Sequence, residues 1–347
     1  MIAKDQYEID QKEVLKMDKK LLKMGLICLV AILIVSGTAF AQERQFKFGG
    51  GTSGGPWFVG VGAGVAMLNQ NAQGKFIFTY GASAGSVENT RRVSTYEYDT
   101  GFAHVLTLYE ALNGLGQFKG RPPAKNLRAI AKVMDLTHLW VSLQSSDIKT
   151  MSDLAGKKVN IGPPGSGTQV NSMYILQALG VYEKIKAQHL TFAGGARALS
   201  DRQIEVTTGA GIPYTVPAIT EIAQMNPVRY IPVSEQEYKK VKAKYPFYQY
   251  VTIPKGVCKG VDAPVQAIAY SAYWIVNDKM PDDVIYDMLK IVMEPKNNQI
   301  LAQIQKNWSA VSGDLSGVAG LGVPCKKGAA KFWQEKGVKL PEGMKIE

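Results

Sequence analysis

The sequence predicts an α/β protein of two lobes, each built from βαβ units around a mainly parallel sheet and joined by crossover strands. Three observations carry this. Short β-branched and aromatic runs alternate with helical patterns over most of the chain. Glycine-rich turns join a strand to a helix at 49–55, 81–85 and 162–167. A strand broken near Asp135 and a long apolar run near Ala269 are placed where a chain would cross into a second lobe and later return. The length of 347 residues is about twice that of a typical single domain, which agrees.

The elements follow in order. Phe46-Lys47-Phe48 reads as a strand, then residues 57–70 as an apolar helix. A second strand spans 75–80, and 86–94 reads as a helix with Ser86 as its N-cap. A third strand covers 100–105. Strands at 127–133 and 139–144 follow, with a break at 135–137. The second lobe opens with a strand at 158–161, the loop 162–167 and a helix over 168–179. A strand at 190–192, a helix at 196–204 and a strand at 205–208 come next, followed by a helix at 218–224 and an extended stretch at 228–231. Residues 254–264 form a loop, 265–276 a long and almost uncharged run, and the remainder is helical with loops. This organisation assigns 42–135 to the first part of lobe one, 136–268 to lobe two, and 269–347 to a segment that returns to lobe one.

The N-terminus reads as an export signal. Lys19, Lys20 and Lys23 precede an apolar run over 24–35, too short to span a bilayer comfortably. Ala39-Phe40-Ala41 then supplies the small-x-small pattern of a cleavage site, so the segment 1–41 is removed and Gln42 becomes the first residue. The polar stretch 1–16 is foreign to such a signal, and Met17 reads as the initiator. Cys28 falls in the discarded segment. The remaining 306 residues hold 34 basic and 24 acidic groups, Cys258 and Cys325. In an oxidising compartment these two cysteines either pair or stand as separate buried thiols. Three histidines, without partners at ligand spacing, predict no metal site.

Several motifs exclude more than they assign. Gly49, Gly51 and Gly54 match G-x-G-x-x-G between a strand and a helix, but the second strand ends at Thr79-Tyr80-Gly81 without the acid that a dinucleotide ribose needs. Ser53 and Ser83 each sit in G-x-S-x-G, yet no histidine follows late in the chain to complete a triad. The run Lys239, Lys240, Lys242 and Lys244 reads as a solvated helix face followed by packed aromatics, not a nucleic-acid patch. Gly162-Pro-Pro-Gly-Ser166-Gly167-Thr168 is the most informative: it joins a strand to a helix, Ser166 or Thr168 can cap that helix, and free N–H groups there face outward toward an anion. No Walker lysine follows.

Taken in order, these segments resemble the TAXI family of extracytoplasmic solute receptors, which serve tripartite ATP-independent periplasmic (TRAP) transporters. The glycine-rich start, Gly85-Ser-Val-Glu-Asn89, Asp99-Thr-Gly-Phe102, Leu127-Arg-Ala-Ile-Ala, Asp153-Leu-Ala-Gly-Lys-Lys, 162–168, Ala210-Gly211-Ile-Pro213 and Lys244-Tyr-Pro-Phe-Tyr248 carry it over about 46–340. Trp57-Phe58 replaces a tyrosine pair, and His104 stands where the family often has an amide-bearing stretch. The resemblance implies a periplasmic-binding-protein fold of type II and a monomer that closes on a small organic acid, an amino acid, dicarboxylate or keto acid. It also implies delivery to TRAP membrane subunits, with no cofactor, no nucleic acid and no catalysis. A periplasmic sensor feeding a signalling protein, or a secreted enzyme, are the other readings. The expected site takes Thr52, Ser53, Gly54, Gly55, Trp57, Phe58, Ser86 and His104 from lobe one, and Ser166, Gly167, Thr168, Gln169, Ala210, Gly211 and Pro213 from lobe two.

Overall fold

The computed structural model describes residues 43–347 apart from Gly54; the export signal and the choice of initiator lie outside the described residues. Strand β1 (Arg44–Gly49) leads into helix α1 (Pro56–Asn71), which starts on a proline, where the missing N–H costs nothing. Strand β2 (Phe76–Gly81), α2 (Ser86–Ser94), β3 (Thr100–His104) and α3 (Val105–Asn113) follow. Strand β4 (Leu127–Leu143) carries the chain into the second lobe. There β5 (Lys158–Asn160), α4 (Gly167–Leu179), β6 (Lys186–Gln188), α5 (Phe192–Ser200), β7 (Val206–Gly211) and α6 (Pro217–Met225) repeat the βα rhythm. Strand β8 (Val228–Tyr230), α7 (Glu235–Lys244), β9 (Gln249–Ile253) and the long β10 (Val265–Asn277) lead back. Helices α8 (Asp282–Met293), α9 (Pro295–Ile304), α10 (Ser316–Ala319) and α11 (Lys327–Glu335) close lobe one.

The strands run in the order β2-β1-β3-β10-β4-β7-β5-β6, with β8 on β4 and β9 on β10. β1 is parallel to β2 and β3, and β5 is parallel to β6 and β7. The two long strands serve both lobes. In lobe one the last part of β10 (Ala272 to Val276) pairs antiparallel with β3, while its first part (Val265 to Ala269) pairs with β9 in lobe two. β4 pairs with β10 from Leu127 to His138 and with β7 from Thr137 to Ser142. The expected break at 135–137 is absent: β4 is continuous. Asp135, its one exposed interior residue, faces Ser271 across the ladder, accepts that hydroxyl at 2.6 Å and pairs with Lys132 at 3.0 Å. A charged residue at the crossing is thus solvated in place rather than ending the strand.

Other differences have similarly local causes. Ser86 is the first helical residue of α2, and Gly85 takes the cap position without a side-chain bond. Leu190 and Thr191 are not strand; the Thr191 hydroxyl accepts from the Gly194 N–H and starts α5 at Phe192, four residues before the expected helix. The basic run lies on α7, whose capping box joins Ser234 to Glu237, with Lys239 paired to Glu235 at 2.7 Å. Cys258 donates to the Tyr230 hydroxyl in lobe two, whereas Cys325 is buried beside Ala129 in lobe one. Of the two alternatives for the cysteines, the structure has separate thiols.

The larger buried core runs through both lobes, joining Phe48 and Trp274 to Val159, Ile175 and Val206. Its lobe-one part centres on an aromatic cluster in which Phe48 stacks on Trp274 at 5.3 Å and meets Phe102 edge-on at 5.3 Å. Trp274 and Trp308 are fully buried, and their indole N–H groups donate to Thr100 Oγ1 at 2.7 Å and to the Gly60 carbonyl at 3.0 Å. Lobe two packs Leu139, Val141, Val216, Ile219 and Phe192. Removing the Trp274 ring opens a cavity in the buried aromatic cluster, while the Thr100 hydroxyl keeps its bond to the Ile275 carbonyl at 2.8 Å. Trp274→Ala is therefore expected to lower the unfolding free energy by about 3–5 kcal/mol, read from the urea midpoint; a loss within the scatter of surface substitutions would contradict this account of the core.

Candidate functional site

A cavity of about 30 Å³, open on one side, lies between the lobes. Lobe one reaches it with Thr52, Gly55, Trp57, Ser86 and His104. Lobe two reaches it with Ser166, Gly167, Thr168, Phe192 and Ala210. Leu136, on the crossing strand, forms part of the wall.

Two helix N-termini meet here. On the lobe-two side the Ser166 hydroxyl caps α4, accepting from the Gln169 N–H at 3.1 Å and donating to the Pro163 carbonyl at 2.7 Å. On the lobe-one side α2 begins at Ser86. The lobes touch directly, since the Glu88 N–H donates to the Gly165 carbonyl at 3.2 Å. The first-turn N–H groups of Ser86, Val87, Gly167 and Thr168 have no intrahelical acceptor by position, and none finds a partner among the described residues. So close an approach requires glycine at 167: a Cβ there would lie 2.2 Å from His104 Nδ1 and 2.7 Å from Ser86 Cβ. Gly55 likewise leaves room for Phe192, whose ring would lie 2.9 Å from an added Cβ.

A buried polar network orients the walls. The Ser86 hydroxyl accepts the His104 backbone N–H at 2.8 Å and donates to Thr107 Oγ1 at 2.8 Å. Asn171 Nδ2 donates to the Gly167 carbonyl at 2.7 Å, and Asn171 Oδ1 accepts from the Tyr248 hydroxyl at 2.7 Å, which sets the orientation of the amide. The same Nδ2 lies 3.2 Å from His104 Nδ1, so Nδ1 is the acceptor and the imidazole proton sits on Nε2. Burial drives the His104 pKa down to about 3, and His138 likewise, helped by the charge His104 would carry. Both rings are therefore neutral at pH 7. Farther along, the Tyr174 hydroxyl of α4 donates to Glu110 of α3, a second contact between the lobes; burial raises the pKa of Glu110.

Behind the turn 81–85, Asn89 of α2 is fully buried and donates to the carbonyls of Gly50 at 3.0 Å and Phe102 at 3.1 Å, while accepting the Ser83 hydroxyl at 2.7 Å. One amide thus ties α2, the glycine-rich loop and β3 together.

Of the expected residues, Thr52, Gly55, Trp57, Ser86, His104, Ser166, Gly167, Thr168 and Ala210 are brought to the cavity. Several are already engaged. Thr52 Oγ1 donates to the Ala84 carbonyl at 2.7 Å, and the Trp57 indole N–H points at Met134 Sδ, 3.4 Å away. Ser53 is exposed and away from the cavity, and Gly54 lies outside the described residues. Phe58 is 45% exposed, lying edge-on to Tyr80 at 6.1 Å on the outer face of α1, so it does not reach the cavity. Gln169 turns back to accept the Gly165 N–H at 3.2 Å. Gly211 ends β7, and Pro213 follows a cis bond beyond it; neither lines the cavity. Sequence reasoning missed Phe192 and Leu136. The signal for Phe192 was Thr191, a good N-cap, masked by Gly194 and Gly195, which weaken the helical pattern.

Against known proteins, the model of the NMT1-like family matches residues 48–337. The chain belongs to the NMT1-like family. Among solved structures it is similar to the periplasmic aliphatic sulphonate binding protein SsuA of Escherichia coli, at 11% identity and a TM-score of 0.45, covering 87% of this chain and 95% of that one. The alkanesulfonate-binding protein SsuA of Xanthomonas axonopodis pv. citri, bound to MOPS, is 11% identical with a TM-score of 0.46 over 81% and 90% of the two chains. The periplasmic binding protein BugD is 12% identical with a TM-score of 0.48 over 86% and 99%. The ligands of such distant proteins are not carried over. Among the described residues no helix is long and apolar enough to cross a membrane, and no group of three or more His, Cys, Asp or Glu is placed to hold a metal ion.

The two buried histidines make stability depend on pH in a definite sense. Their folded pKa values lie below the unfolded value near 6.5, so the unfolded chain binds more protons between about pH 6.5 and 3. Their contribution is complete above pH 6.5 and falls as pH drops, by up to about 1.4 kcal/mol per pH unit for each ring. Urea midpoints are expected to decline steeply from pH 6.5 to 5; a flat profile over that window would contradict buried neutral histidines.

Proposed function

We propose that the chain is an extracytoplasmic solute-binding protein that captures a small organic anion between its lobes and delivers it to a TRAP-type membrane transporter. The observation that carries this is the convergence of unpaired first-turn N–H groups from both lobes, at Ser86 and at Gly167 and Thr168, on one cavity. Backbone donors and two helix N-termini suit a carboxylate or similar oxyanion. The Thr168 hydroxyl adds a donor, and Trp57, Phe192 and Leu136 pack on the carbon skeleton. Lobe closure by bending of β4 and β10 is the event that the membrane partner reads.

The transporter type rests on the ordered motifs that resemble the TAXI receptors, and export on the signal-like segment 1–41. This reading gives the protein no catalytic step. The nearest candidate for one, Ser172 Oγ at 3.0 Å from His138 Nε2, is sealed inside the protein away from the cavity. The unit that this reading requires is a single chain, since both halves of the site come from one polypeptide.

The test is a thermal-shift screen of the mature chain, refolded to strip carried-over ligand, with amino acids, dicarboxylates, keto acids and sulfonates. At least one acid at a hundredfold excess over its Kd is expected to stabilise by about 2.7 kcal/mol, a shift of several degrees. Thr168→Val, which removes a hydroxyl at nearly constant volume, is expected to weaken that ligand about tenfold. Flat responses to every acid would overturn the proposal.

A further inference from the structure

The cavity is small, apolar and without charge. Among its described lining residues there is no Asp, Glu, Lys or Arg. The carbonyls that border it on the lobe-one side are already used: those of Thr52, Ala84 and Gly85 accept from the Gly55 N–H, the Thr52 hydroxyl and the Asn89 N–H. The first-turn N–H groups can only donate. The Thr168 hydroxyl, on a side chain about 97% buried, has no partner among the described residues, and its methyl group faces Gly162. His104, about 96% buried and neutral, lies beside them with Nδ1 3.2 Å from Asn171 Nδ2. The opposite wall is hydrocarbon: Trp57, Leu136, Phe192 and Ala210.

We propose that this cavity selects a monoanionic acid, one oxyanion head on a short uncharged body, over zwitterions and dianions, and that Phe192 sets the length of that body. The inference rests on the solute-binding reading and narrows its ligand class. The head is met by donors from both helix starts and from Thr168. An α-ammonium group would meet N–H donors and no carboxylate among the lining residues, and a second carboxylate would face hydrocarbon; both leave a charge poorly paired. Phe192 stands across from Gly55, so the ring closes the space that a longer chain would need.

A four-carbon series separates the possibilities, because size is held constant while charge changes. Butanoate, 2-oxobutanoate, 2-aminobutanoate and succinate are titrated calorimetrically into the refolded mature chain, with propanesulfonate as the alternative head group and hexanoate as the longer body. Butanoate, 2-oxobutanoate or propanesulfonate is expected to bind at least tenfold more tightly than 2-aminobutanoate and succinate. Phe192→Ala is expected to raise hexanoate affinity relative to butanoate at least tenfold; where that variant fails to fold, Phe192→Leu reads the same ratio with a smaller gain. Equal or tighter binding of 2-aminobutanoate or succinate would overturn the charge selection while leaving the solute-binding reading in place. An unchanged hexanoate-to-butanoate ratio in a folded variant would overturn the role of Phe192. No binding by any acid in this series or the wider screen would overturn both readings together.

Discussion

Two strands belong to both lobes, and everything else in the molecule is arranged around them. β4 and β10 run antiparallel to each other, pairing from Leu127 to His138 on one side and from Ile268 to Asn277 on the other. Their lobe-one halves carry the buried aromatic cluster through Trp274, and their lobe-two halves carry β7 and β9. The pairing shifts register at Ala272/Tyr273 and at Trp274/Ile275, yet it joins both lobes through one ladder, with Asp135 and Ser271 bonded at the crossing. That geometry brings the start of α2 opposite the start of α4.

The meeting of those helix starts imposes its own requirements. Without a glycine at 167 the second lobe could not approach His104 and Ser86. Without Asn89 the loop carrying Thr52 would lose the bonds that hold Gly50 against β3. Buried groups around the cavity are satisfied one by one through Asn171, Tyr248 and Thr107, as low-dielectric surroundings demand. The groups left over are donors only. A site built in this way attracts negative charge by backbone polarity, and the chain's formal charge of +11 plays no direct part in it.

Much of this was legible in the residues. The helix at 86–94 and the apolar run at 265–276 were readable almost to their ends, because their patterns are strong and their boundaries carry glycine, charge or turn residues. Nine of the expected site residues reach the cavity because strand-to-helix turns with glycine and serine mark where first-turn amides will be exposed. What was not legible depends on long-range packing. Ser86 looks like a cap but bonds Thr107 and His104, residues that no local pattern connects to it. Phe58 looks like a partner of Trp57, yet adjacent positions on a helix face different ways, and Phe58 faces outward. Phe192 arrives from the other lobe at the end of a helix that its glycines conceal.

The central claim is that first-turn amides of both lobes hold the head of a small acid. The most direct measurement is the amide NMR spectrum of isotope-labelled mature protein titrated with its tightest-binding acid. The account predicts that the Ser86, Gly167 and Thr168 amides move downfield together and become protected from hydrogen exchange. Saturable binding that leaves all three unmoved, with the changes confined to residues elsewhere, would contradict it.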